Sequence, residues 1–190
     1  MRRFGLIVLY TALTLGANVA GAEPPPGAEV IRPFLTGEME KLVPAADMVP
    51  LAGAALLDRD DAPKGLEDYE GKVILLNFWA TWCAPCRKEL GALDRLEGEL
   101  GGADFAVVTV ATGRNPVPAI DKLFAEEGIT RLPILRDPDQ SFARATGVMG
   151  LPVSVLVDRS GTEVARLVGD AEWDSPEAKA VIGALIAAAP

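Results

Sequence analysis

Residues 72–100 read KVILLNFWATWCAPCRKELGALDRLEGEL, and no other stretch restricts the fold as much. KVILLNFWA is a nearly unbroken apolar run between Gly71 and a cysteine pair. A strand with one wet face alternates apolar and polar residues; a strand covered on both faces does not. The run therefore predicts a central strand with a layer packed on each side. Past it, Leu90, Leu93, Leu96 and Leu100 recur at spacings of three and four, the period of an amphipathic helix over 86–100. Gly91 weakens that helix by about 1 kcal/mol against alanine and marks a place for a kink. Strand and helix meet at Cys83-Ala84-Pro85-Cys86.

These are the chain's 2 cysteines in 190 residues, and it has no histidine. Without histidine there is no Ser-His-Asp triad, no Cys-His protease and no His-ligated zinc. Two thiolates fall short of the four ligands a structural zinc wants, which leaves only a metal site bridging two chains. Haem attachment needs histidine after the second cysteine, where this chain has Arg87. A cross-link over so short a loop removes little chain entropy, so a purely structural disulfide is a poor use of the pair. A redox pair remains. Cys83 falls at the end of the turn and Cys86 in the first helical turn. Unpaired N–H groups and the positive end of the helix dipole stabilise a thiolate there, below the free value of ~8.5. Arg87 and Lys88 add a weaker, screened pull. Pro85 suits a first turn, where no N–H is needed. Cys83 is thus expected to attack a disulfide, and Cys86 to resolve the mixed disulfide.

The N-terminus, MRRFGLIVLYTALTLGANVAGAE, has two arginines, an apolar stretch and Ala20-Gly21-Ala22. That is the layout of a secretory signal over 1–22, with cleavage expected before Glu23; an uncleaved membrane anchor is the alternative. Either form delivers the domain to a periplasm-like, oxidising compartment. Proline-rich residues 23–34 read as a flexible linker, and 35–190 as one domain. The net charge of −9 argues against nucleic acid and anionic membrane surfaces as partners.

Thr36 could cap a short helix carrying Met39, Leu42 and Val43. The acidic stretch up to Lys72 reads as a hairpin or loop, with a helical turn near Leu66–Tyr69. FAVVTVAT (105–112) is a second buried strand, Pro116–Glu127 a helix, LPILRD a short strand, and QSFARATG a short helix stopped by Gly147. LPVSVLVDRSGTEVARLVG gives two strands joined at Arg159–Thr162, and a last helix starts near Pro176. The alternation predicts an α/β fold with helices on both faces of a mostly parallel sheet and an antiparallel hairpin at its end.

NFWATWCAPCRKEL resembles the thioredoxin superfamily, and within it the exported TlpA/ResA-like branch. GLPVSVLVDRSGTEVARLVG is similar to the superfamily's second signature. TRLPILRD and the tail LVGDAEWDSPEAKAVI look most like the TlpA type. The resemblance covers about residues 50–188. It implies a thioredoxin-like fold, a central mixed sheet with helices on both faces, plus an N-terminal helix/hairpin extension. It also implies that Pro152 is cis beside the cysteines and that the backbone of Leu151 pairs with an extended client. By itself an X-Pro bond is cis in only ~5 % of cases. Trp82 would shield one side of Cys83, whereas Trp79 reads as core. With Pro85, these residues form the expected client-binding set. The implied activity is reduction of protein disulfides, with no cofactor beyond the Cys83–Cys86 disulfide. A monomer recharged by a membrane dithiol donor of the DsbD/CcdA type is implied. Clients would be copper-site proteins of cytochrome oxidase assembly; alternatives are apocytochrome c cysteines, or a non-enzymatic adaptor. Two departures stand out. Asn77 replaces the buried aspartate of cytoplasmic thioredoxins. Thr112, Gly113 and Arg114 stand where some exported relatives carry an acid. Glu89 is expected to point to solvent, so the proton acceptor for Cys86 is unassigned, with water as the default.

Overall fold

The computed structural model describes residues 23–51 and 53–188. The leader or anchor expected over 1–22 lies outside them. The strands are β1 (Val43–Pro44), β2 (Leu56–Leu57), β3 (Pro63–Lys64), β4 (Val73–Trp79), β5 (Phe105–Thr112), β6 (Leu135–Asp137), β7 (Val153–Val157) and β8 (Glu163–Val168). The helices are α1 (Pro26–Ile31), α2 (Ala84–Leu100), α3 (Val117–Glu127), α4 (Ser141–Ala145) and α5 (Pro176–Ala187). They build one mixed sheet of order β1-β8-β7-β4-β5-β6-β2-β3. Strands β4, β5 and β6 run parallel, with antiparallel β7 and β8 on one side and the β2–β3 hairpin on the other.

All seven residues of β4 are buried, because both faces are covered. Val73, Leu75 and Trp79 face a core formed with α1, α2, α3 and α5; Ile74, Leu76 and Phe78 face a second core with α4 and β7. Asn77 shares the parity of the first set, so it points at α2. That helix runs unbroken through Gly91, and Leu90, Leu93 and Leu96 are fully buried. Each such leucine contributes roughly 1.5–3 kcal/mol through burial. The left-handed Gly128 ends α3, as the Gly after a helix commonly does. Ser175 caps α5 by accepting from Ala178 N–H at 3.2 Å.

The extension departs from its sequence reading. Residues 23–34 are part of the domain, not a flexible linker. Pro26 opens α1, a first-turn position that needs no N–H. Ala28 and Ile31, three apart, are fully buried. Gly27 lets the backbone close on β8 and α5, since a Cβ there would lie 2.8 Å from Val164 Cγ2. Thr36 caps nothing, and Gly37–Lys41 is a 3₁₀ turn. Met39 and Leu42 are buried, whereas Val43 turns outward in β1. Glu67–Tyr69 is likewise one 3₁₀ turn.

Candidate active site

The strand-to-helix junction puts both cysteines at the N-terminus of α2, where they form a disulfide. Cys83 is the N-cap residue, and its sulfur accepts from Cys86 N–H at 3.3 Å. A free helix N–H is thus already aimed at the sulfur that would carry negative charge as a thiolate. Cys83 keeps 6 % of its surface and Cys86 none, so an incoming sulfur meets Cys83 first. Pro85 lies exposed in the first turn.

The Leu151–Pro152 bond is cis. It directly precedes the last rung between β7 and β4, Val153 opposite Phe78. This places it at the same end of the sheet as the cysteines. Leu151 is partly exposed, and Met149 and Trp82 stand out at 94 % and 69 % exposure. Trp79 is buried and stacks on Phe124 at 5.7 Å. A side chain not singled out from sequence holds the turn: Asn115 Oδ1 accepts from Thr81 N–H at 2.8 Å and from Thr81 Oγ1 at 2.9 Å. Its amide donates to Thr112 O at 2.9 Å, tying the turn before Cys83 to the end of β5.

Glu89 overturns the expectation that it faces solvent: it is 2 % exposed. Three positions past Cys86, it lies on the same helix face, and helical side chains lean over the preceding turn. Glu89 Oε1 accepts from Asn77 Nδ2 at 2.8 Å. Oε2 accepts from Ala171 N–H at 3.2 Å and Trp173 Nε1 at 3.3 Å. Every direct partner is neutral. Burial therefore pushes the carboxyl up to about 7, against the pull of these hydrogen bonds, and the charge of Asp170 adds to the rise. Asn77 also donates to Ser154 Oγ at 2.9 Å, leaving its own buried Oδ1 without a protein partner. The carboxyl group absent from position 77 is thus supplied from the facing helix. The signal was in the spacing: Cys86, Glu89, Leu90 and Leu93 follow the helical period, which places Glu89 inside despite its charge.

Comparisons with known proteins point to the same fold. The Redoxin family model matches residues 41–182. The thiol-disulfide oxidoreductase ResA of Bacillus anthracis is 30% identical over 105 residues, 55% of this chain and 60% of that protein. The thioredoxin-like protein YneN of Bacillus subtilis is 34% identical over 96 residues, 50% of this chain and 56% of that protein. The chain thus aligns with about 60% of the ResA length. Among solved structures, a thiol:disulfide interchange protein DsbE from Chlorobium tepidum superposes with a TM-score of 0.65 at 28% identity, covering 73% of this chain and 96% of that one. The exposed lipoprotein thioredoxin Etrx1 of Streptococcus pneumoniae gives 0.56 at 30% identity, covering 65% and 93%. The chain belongs to the Redoxin family and has the thioredoxin-like fold of a ResA/TlpA-like protein.

Proposed function

We propose that this protein is an extracytoplasmic thiol:disulfide oxidoreductase that reduces protein disulfides through Cys83 and Cys86. The observation that carries the reading is the disulfide at the start of α2 with a buried carboxyl one turn behind its inner cysteine. In the reduced protein the Cys83 thiolate attacks one client sulfur. The client S–S bond breaks, one client thiolate leaves and is protonated by water, and a mixed disulfide forms. Cys86 then passes its thiol proton to the Glu89 carboxylate, and its thiolate attacks Cys83 Sγ. The second client thiolate departs, and the protein ends as the disulfide; two electrons have moved to the client. A carboxyl near 7 is part ionised at neutral pH, the condition for an acceptor that must also give the proton back.

The client chain would lie along Leu151–Pro152 by strand addition, which reads backbone rather than sequence. Trp82 and Met149 offer it apolar surface. The leader-like residues 1–22 and the 30% identity to an exposed lipoprotein support a location outside the cytoplasm, which we read as the periplasm, with the domain free after signal cleavage or tethered. A tether would leave the domain far from the cysteines. Pro25 and Pro26 lie beside Asp158–Ser160, at the end of β7 that pairs with the start of β4. We assign cytochrome oxidase copper-site proteins as clients and a DsbD/CcdA-type membrane dithiol as donor, on the likeness of LVGDAEWDSPEAKAVI to the TlpA type.

The test is trapping. Cys83→Ser should abolish insulin disulfide reduction, and Cys86→Ser should accumulate mixed disulfides in the native host. Copper-site proteins should be among them; apocytochrome c in their place would move the client to cytochrome c maturation. Equal trapping by both variants, or client binding that needs neither cysteine, contradicts the enzymatic reading.

A further inference from the structure

The tail motif GDAEW (169–173) is not used by the dithiol chemistry described above, yet it touches that site at both ends. Gly169 N–H donates to Pro152 O at 2.9 Å, joining the segment to the cis-proline loop. Asp170 Oδ2 pairs with Lys88 Nζ at 3.0 Å, one residue from Glu89 on α2. Ala171 N–H and Trp173 Nε1 are the two donors on Glu89 Oε2. Trp173 is fully buried. A polar cavity of about 180 Å³ lies between α2 and this segment, and Glu89 is one of its walls. It is roomy enough for several waters.

We propose that Gly169–Trp173 forms the outer wall of the redox site and that Trp173 is a positioning residue: its indole N–H holds the Glu89 carboxylate toward the cleft and so governs proton transfer from Cys86. The proposal rests on Glu89 being the acceptor of that proton. The indole fixes Oε2 from the wall side, while Oε1 accepts from Asn77 of β4, so the two oxygens are held from opposite elements. A phenyl ring could fill most of the same space but could not donate.

Other charges around Glu89 come from each packed element. On α2 stand Lys88 and Arg95; Glu38 comes from the 3₁₀ turn. Asp170, Glu172 and Asp174 line the cleft from the tail. Arg95 is held by Asp174 at 2.6 Å, and Glu38 accepts from Glu172 N–H at 3.0 Å. Strands β4 and β7 contribute only neutral Asn77 and Ser154. Asp170 is therefore the charge of this wall best placed to be altered without disturbing the core.

Two variants of the full chain test the proposal in opposite directions. Each is read by ¹³C NMR titration of the Glu89 carboxyl and by the pH profile of mixed-disulfide resolution. Trp173→Phe removes a donor to the ionised form and should move the inflection up by about one pH unit. Asp170→Asn removes a negative neighbour and should move it down; this half-exposed residue keeps the test usable even where Trp173→Phe does not fold. Inflections unchanged in both variants overturn the proposal, since a merely structural wall predicts that outcome. Glu89→Gln separates the two claims. If it abolishes the inflection while the wall variants leave it unmoved, the wall proposal alone fails. If it leaves the resolution profile untouched, the reading of Glu89 as acceptor fails.

Discussion

Helix α2 carries two inward-facing carboxyl groups, Glu89 and Asp94, at 2 % and 3 % exposure. Neither meets much solvent, but Glu89 lies far deeper in the fold than Asp94, and their proton affinities are driven apart. Desolvation pushes both up. At Asp94 it is overcome: Oδ1 accepts from Thr130 N–H at 2.9 Å and Arg131 N–H at 2.7 Å, and Oδ2 from the Arg131 guanidinium at 2.8 Å. The result is a carboxyl held below its ordinary value. Glu89 has neutral donors only, and it rises to about 7. Asp94 is a staple that fastens the loop after α3 to α2. Glu89 can gain and lose a proton in the working pH range. Depth of burial, set against the backbone donors and the cation within reach, decides which role a carboxyl plays.

The comparison can be broken first by stability against pH. The folded value of Glu89 lies above its unfolded 4.5, so the folded state holds this proton more tightly. Stability should therefore fall as pH rises from about 4.5 through 7, by about 3 kcal/mol from this group. Glu89→Gln should remove that fall in urea titrations. Asp94 has the opposite sign: its contribution is present above the unfolded value and lost as acid protonates the folded group. Retention of the Glu89 slope in Glu89→Gln would contradict the assignment.

Turnover comes next in size. Glu89→Gln should slow insulin disulfide reduction at pH 7 by about 10²-fold, the ordinary yield of a placed proton acceptor. Asp94→Asn should leave it within about two-fold, having no part in the reaction. Asp94→Asn should instead cost about 2 kcal/mol of stability, because an amide N–H₂ would face donors with nothing to accept. A rate loss in Asp94→Asn at full stability would erase the distinction.

The smallest effect sharpens the role of Asn77. A carboxylate there would stand 2.8 Å from Glu89, and like charges so close cannot both ionise. Asn77→Asp should make the two groups titrate as a pair and shift the upper inflection of the rate profile up by about one unit. An unshifted profile would mean that the two side chains do not communicate.

Much of this was legible in the chain because it is local. Strand β4, the CAPC turn, α2, β5 and the β7–β8 hairpin each carry their pattern within about twenty residues. What was missed depends on distant partners. The proline-rich start reads as linker until β8 and α5 supply the surface that buries Ala28 and Ile31. Glu89 reads as exposed by its charge, although the helical period places it inside. Its outer donor, Trp173, lies 84 residues away, a distance no local pattern spans. Asn115 had a weaker signal still, a polar residue in a loop whose partner Thr81 precedes it by 34 positions.

The most direct test is a ¹³C NMR titration of the Glu89 side-chain carboxyl in the oxidised protein, with Asp94 as internal reference. The account predicts a midpoint near 7 for Glu89, well separated from a much more acidic Asp94. A Glu89 midpoint at the ordinary 4.5 would contradict it, because a carboxyl so acidic could not serve the inner cysteine as proton acceptor and donor near neutral pH.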